Sequence, residues 1–267
     1  MSDEARHTRL LRVAEHIRTQ NWTAIAIDFV IVVLGVFVGI QVSNWNAARF
    51  DRQRGAEFTE RLRADLREER WMYGFLTAYY SDVRDAASAA AGALEGTTPL
   101  SDHDLLVAAY RATQYREGPR IRATYDELVS TGSLGLVSDV ALLRAAAAVY
   151  RIRSGENAAR EGIASPYRHR FRMSLSNDIQ RELARRCGDR PVRRGDGTDA
   201  GAVIDYPCTL QLPAATIGTG VEALRGDPEL LRALRRRVAD LDTRLFDLTV
   251  NNRPELEGLD AALGEAL

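Results

Sequence analysis

Trp22 and Trp45 enclose the stretch that most constrains this chain. Between them lie 22 residues, TAIAIDFVIVVLGVFVGIQVSN, with one charge. At 1.5 Å per residue a helix of that length spans roughly 33 Å, the thickness of a bilayer's hydrocarbon core. Indole rings favour the membrane–water boundary, so a Trp at each end reads as an aromatic belt. The expectation is a transmembrane helix over 22–45, preceded by a tail over 1–21 and followed by an extramembrane domain over 46–267. The apolar run is longer than a signal peptide's, and no small-x-small cleavage site follows it. A retained signal anchor in a bacterial inner membrane is the reading.

The segment after the span is long enough for one or two folded domains. The chain is 45% hydrophobic and 27% charged, a balance that folds rather than stays disordered. Its net charge of −1 argues against bulk attraction to nucleic acid. Every one of the 36 basic residues is arginine. A chain without lysine forms no lysine Schiff base and builds no Walker A loop, which removes pyridoxal-phosphate enzymes and P-loop NTPases.

Cys187 and Cys208 flank a polar stretch containing Gly and Pro. A pair closing such a loop suggests a disulfide and an oxidising compartment, with two buried free thiols as the alternative. No Cys or His lies close enough to either to suggest zinc. Arginines flank the span on both sides, so the positive-inside rule nearly ties. The cysteines and the short arginine-bearing tail break the tie: N-terminus cytoplasmic, large domain periplasmic.

Hydrophobic periodicity predicts helices throughout. In the tail, Leu10, Leu11, Val13, Ala14 and Ile17 form an apolar stripe suited either to the inner membrane surface or to a plain cytoplasmic stub. Phe58, Leu62, Leu66, Phe75, Tyr79 and Val83 predict one long helix to about Ala91, stopped by Gly92. Ser101 is a candidate N-cap for a helix over 102–116. A short helix over 121–131 stops at Gly132. Ser138 begins another, running toward Ala164, and a further helix covers 167–186. Residues 187–213 read as irregular, with a short strand near 202–205. Asp227-Pro228 signals an N-cap with Pro at the first helical position. The last helix has Leu231, Leu234, Val238, Leu241, Leu245 and Leu248 at heptad spacing, and Pro254 ends or kinks it. The fold class is therefore mostly α: one transmembrane helix and a bundle of about four to six helices.

Gly35 and Gly39 make a GxxxG pattern, which lets two membrane helices approach closely. At 100° per residue, Asp28, Gly35, Gly39 and Asn46 fall within about 20° of one line. An acidic residue inside a span usually faces protein or water, so this stripe reads as a transmembrane interface and the chain as a homo-oligomer. The alternative is that Asp28, near the helix end, is reached by interfacial water.

Asp28, Gly35, Gly39, Gln41, Asn44, Trp45 and Asn46 together resemble the membrane segment of a family of uncharacterised bacterial single-pass membrane proteins, a domain of unknown function. A second stretch is similar too, from Tyr125-Asp-Glu-Leu-Val-Ser-Thr-Gly-Ser-Leu to Leu143-Arg144. The resemblance covers the span well, the middle loosely, and the C-terminal third only in being helical. It implies a membrane anchor with a helical domain and no particular activity. Read physically, Ser130-Thr131-Gly132 is a helix C-terminus with Gly in a left-handed conformation.

Residues 151–194 hold twelve arginines against five acids. The choice there is between ion-paired helix faces and a site for an anionic partner such as lipid headgroups or an envelope polyanion. The four histidines are scattered, and adjacent residues in Asp102-His103-Asp104 point in different directions on a helix. No catalytic, cofactor-binding or metal-ligating set emerges, and no GxSxG elbow is present.

The expected function is a membrane-anchored, non-enzymatic interaction or scaffold module. It self-associates through its span, with membrane lipid and an unknown protein as further partners. Two rivals stand beside it: a small-molecule sensor signalling through a partner, and an enzyme of unrecognised type. A filled bundle with open surface grooves fits the module. A largely apolar internal cavity fits the sensor, and a deep polar pocket with converging His, Asp or Glu fits the enzyme.

Overall fold

The computed structural model describes residues 22–193 and 199–264, and the amphipathic tail expected over 1–21 lies outside them. The protein is mostly α-helical. Two compact units are separable, Met1–Glu57 and Phe58–Leu267. Helix α1, Trp22–Glu95, begins in the first and runs through the division. Over Trp22–Phe50 every residue is exposed. That part of α1 is long and apolar enough to cross a membrane, with a mean hydropathy of 2.6 over its best window. Residues 46–57 continue the helix before the packed unit begins at Phe58.

From Phe58 onward α1 buries one face, because apolar side chains recur three and four residues apart. Phe58, Leu62 and Leu66 pack with Leu128, Leu142, Val149, Leu259 and Leu263. These come from α3 (Ala123–Ser130), α4 (Val140–Val149) and α10 (Arg253–Leu263). Farther along, Leu76, Tyr80, Val83 and Ala87 join the larger core with Leu105, Phe171, Leu183, Leu224 and Leu234. That core is built by α2 (Asp102–Arg111), α5 (Ser154–Ile163), α6 (Pro166–Ser174), α7 (Asn177–Cys187), α8 (Ala214–Arg225) and α9 (Pro228–Phe246).

Several ends form as their residues dictate. Ser101 caps α2 by accepting from the Asp104 N–H. Asp227 caps α9, accepting from the Glu229 and Leu230 N–H groups, with Pro228 in the first turn. Gly132 sits at φ 66 just beyond α3, a backbone that side-chain-bearing residues avoid. Asp139, rather than Ser138, caps α4; its carboxylate accepts from the Leu142 N–H while also receiving Arg63 at 2.9 Å.

Other boundaries differ from the sequence reading for tertiary reasons. Helix α1 passes Gly92 and ends at Glu95, because Gly96 takes the left-handed turn at φ 75. The Gly92 carbonyl then accepts the Thr97 and Thr98 N–H groups at 2.8 and 3.1 Å. A Cβ on Gly92 would stand 2.7 Å from Thr98 Oγ1, so this glycine serves a close approach rather than a stop. The single helix expected from 138 to 164 breaks after Val149. Arg120 braces the break, donating to Ile152 O at 2.6 Å and to Val149 O at 3.3 Å, the latter also accepting the Ile152 N–H at 3.0 Å. The helix expected over 167–186 breaks at Leu175–Ser176, where the Gln180 side-chain amide donates to the Arg172 and Leu175 carbonyls. Past α9 the chain forms a π-helical turn, Asp247–Asn251, and then α10 with Pro254 in its first turn.

The segment expected to be irregular over 187–213 carries a small antiparallel hairpin, β1 (Arg190–Arg193) with β2 (Asp199–Val203). Gly201, at φ 114, lies under the Phe75 ring, and a Cβ there would meet the ring at 2.5 Å. Beyond the hairpin Ile204 and Leu210 are buried. The Leu210 N–H donates to His103 Nε2 at 3.2 Å and the Gln211 N–H to Glu182 at 2.8 Å. This stretch is seated by its own contacts.

Candidate functional site

In the unit that ends at Glu57, α1 presents Asp28, Gly35, Gly39 and Asn46 along one exposed face. Apart from the helix's own nearby backbone, no atom lies within 4 Å of a Cβ built on Gly35 or on Gly39, so that face, like the rest of Trp22–Phe50, is open. Trp22 and Trp45 are 63% and 59% exposed at the two ends of the apolar run. The Arg49 guanidinium lies over the Trp45 ring at 6.0 Å, an arrangement suited to an interface where charge and ring share the headgroup layer.

Cys187 and Cys208 are joined, with Cα atoms 5.4 Å apart. The bond links the last residue of α7 to the segment before α8. Tyr206 lies beside it; its hydroxyl donates to Gly188 O, and its ring is flanked by the guanidiniums of Arg190 at 3.7 Å and Arg111 at 5.2 Å.

The second similar stretch, Tyr125 to Arg144, packs on the start of the large unit. Tyr125 and Tyr150 rings lie 5.2 Å apart. Asp65 accepts from the Thr124 N–H at 3.0 Å, and Arg61 pairs with Glu127 at 2.6 Å. The ring contact joins α3 to the end of α4, and the Asp65 and Arg61 contacts secure α3 to α1.

Several clefts open at the surface of the large unit, and two carry clusters of charge. One, of about 340 Å³, has a floor of Ala86, Ala89, Leu100, Val107 and Ile204, and a rim of Asp82, Asp85, Asp104, Asp205 and Arg111. Burial, then the like charges of Asp205 and Asp85, hold the Asp82 carboxyl above the ordinary carboxylate range. The other cleft, of about 510 Å³, is lined by Tyr110, Gln114, Arg168, Phe171, Arg172, Asn177 and Arg181 among others, with no carboxylate. Among the described residues, no three His, Cys, Asp or Glu side chains gather as metal ligands would.

The residue that periodicity misplaced is Arg237. Leu234, Leu241 and Leu248 of the expected heptad are buried and Val238 and Leu245 pack partly buried against the same core, while Leu230 and Arg237, one position before Leu231 and Val238, complete the buried line. Arg237 is 3% exposed and donates to Ala112 O at 3.3 Å and Gln114 O at 2.9 Å. Arg168 donates to the carbonyl between them, Thr113 O, at 3.0 Å. Two arginines thus satisfy three consecutive carbonyls just past the C-terminal end of α2, where the helix dipole also favours cations. Charge hides such a residue in a sequence, since arginine reads as surface. Comparison with protein-family profiles, curated proteins and solved structures gives no match.

Proposed function

We propose that the chain is a membrane-anchored, non-enzymatic interaction module that self-associates through its span. The observation that carries this reading is the open stripe on α1, where Gly35 and Gly39 leave room beside Asp28 and Asn46. Small residues let backbones approach, and a carboxylate in hydrocarbon gains most from a polar partner. The two charged clefts of the large unit are open to solvent, which suits a binding surface. The proposed setting is a bacterial inner membrane, with a cytoplasmic N-terminus and the Phe58–Leu267 unit in the periplasm. The Cys187–Cys208 bond and the arginine-bearing tail support that orientation.

Gly35→Ile is expected to weaken self-association of the span in a membrane two-hybrid assay on the order of tenfold, the factor that ~1.4 kcal/mol of lost packing gives. Phe37→Ile, about 180° from the stripe, should leave it unchanged. Equal effects from the two substitutions would remove the interface.

A further inference from the structure

Several arginines of the basic stretch 151–194 are already engaged. Arg153 pairs with Glu156, Arg170 with Asp227, and both Arg185 and Arg186 with Glu182. Arg190 covers the Tyr206 ring. The three in the carboxylate-free cleft differ. Arg168 is fixed by its bond to Thr113 O and by the Tyr115 ring 4.8 Å away, which leaves its Nε and Nη2 without a protein acceptor. Arg172 makes no hydrogen bond or ion pair through its guanidinium among the described residues. Arg181 pairs with Asp178, both about three-quarters exposed, and its Nε donates to Asn177 O at 3.4 Å, an arrangement worth little in water.

The surroundings add to this positive field. Helix α7 begins at Asn177, in the cleft wall, and Ser176 gives it no side-chain cap. Its first N–H groups are therefore not satisfied by a capping side chain, and the positive end of the helix dipole lies there. The Gln114 and Gln180 side-chain amides spend their N–H groups on protein oxygens, so the charged donors left to a ligand are the guanidiniums. Guanidinium forks match the oxygens of phosphate with two parallel bonds each. The volume exceeds that of a bare phosphate, and Tyr110 and Phe171 give the remainder an aromatic wall.

We propose that this cleft binds a phosphate-bearing ligand, held by Arg168 and Arg172 with Arg181 adding charge. The phosphate belongs either to a phospholipid headgroup or to a small soluble phosphate ester. The inference is independent of self-association through the span, since none of these residues belongs to it.

The test uses the full chain. Glycerol 3-phosphate is titrated by calorimetry into the protein in phosphatidylcholine nanodiscs. Native mass spectrometry counts phosphatidylglycerol against phosphatidylcholine retained by the detergent-solubilised protein. Binding in the first arm identifies a soluble ester, and selective retention only in the second identifies a headgroup; either supports the site. Arg172→Gln, which touches no structural bond, should weaken the observed binding about tenfold or more, and Arg168→Gln/Arg172→Gln further. The charge-matched pair Arg232→Gln/Arg236→Gln, on the exposed face of α9, should change it by less than about twofold. Absence of binding in both arms, or equal weakening by the matched pair, would overturn the proposal.

Discussion

Arg237→Met is expected to destabilise the Phe58–Leu267 unit by about 2–4 kcal/mol, because the buried Ala112 O and the partly buried Gln114 O lose their donors. Methionine keeps most of the volume, so the loss reads the hydrogen bonds rather than a cavity. Burial lowers the Arg237 pKa, yet a guanidinium starts so far above neutrality that the group stays charged. Removing a desolvated cation returns some free energy, which is why the estimate stays below the cost of stripping one partner from a buried ion pair. At 2–4 °C per kcal/mol for a unit of this size, the midpoint of thermal unfolding should fall by roughly 4–16 °C. Hydrogen exchange should quicken first at the C-terminal turn of α2. A variant as stable as the parent would mean that the α2 carbonyls have other donors and that Arg237 does not close this helix.

The second large effect concerns Cys187 and Cys208, which are 21 residues apart. Closing a loop of that size removes entropy from the unfolded chain worth about 3 kcal/mol. Cys187→Ala/Cys208→Ser should therefore lower the unfolding midpoint by roughly 6–12 °C, and reducing agent added to the parent protein should do the same. Residues 204–212 should nevertheless keep their protection from exchange. Buried Ile204 and Leu210, the His103 bond to Leu210 and the Glu182 bond to Gln211 still seat them. An unfolding midpoint indifferent to reductant would remove the bond and half the argument for an oxidising compartment.

What the sequence made legible was local chemistry. The apolar run of α1, the Ser101 and Asp227 caps, Pro228 and the left-handed Gly132 each depend on residues within a few positions of one another. The helix breaks at 150–153 and 175–176 did not show, because they hold only when Arg120 and Gln180 reach the carbonyls there. Gly92 looked like a stop because the Thr98 side chain that presses on it comes from the following turn. Arg237 was hidden most fully: its acceptors lie more than a hundred residues earlier, and no pattern within α9 announces them. The arginine cleft was half visible, as a local excess of charge. Which arginines remain free was decided by partners such as Asp227, donated from another helix.

The central claim is that one span holds the Phe58–Leu267 unit on the oxidising side of a membrane. Alkaline phosphatase and a green fluorescent protein, fused in turn after Leu267 and expressed in a bacterial host, test it directly. The account predicts phosphatase activity that stays with the membranes through an alkaline carbonate wash, and a dark fluorescent fusion. A bright fluorescent fusion with silent phosphatase, or phosphatase released by the wash, would contradict it.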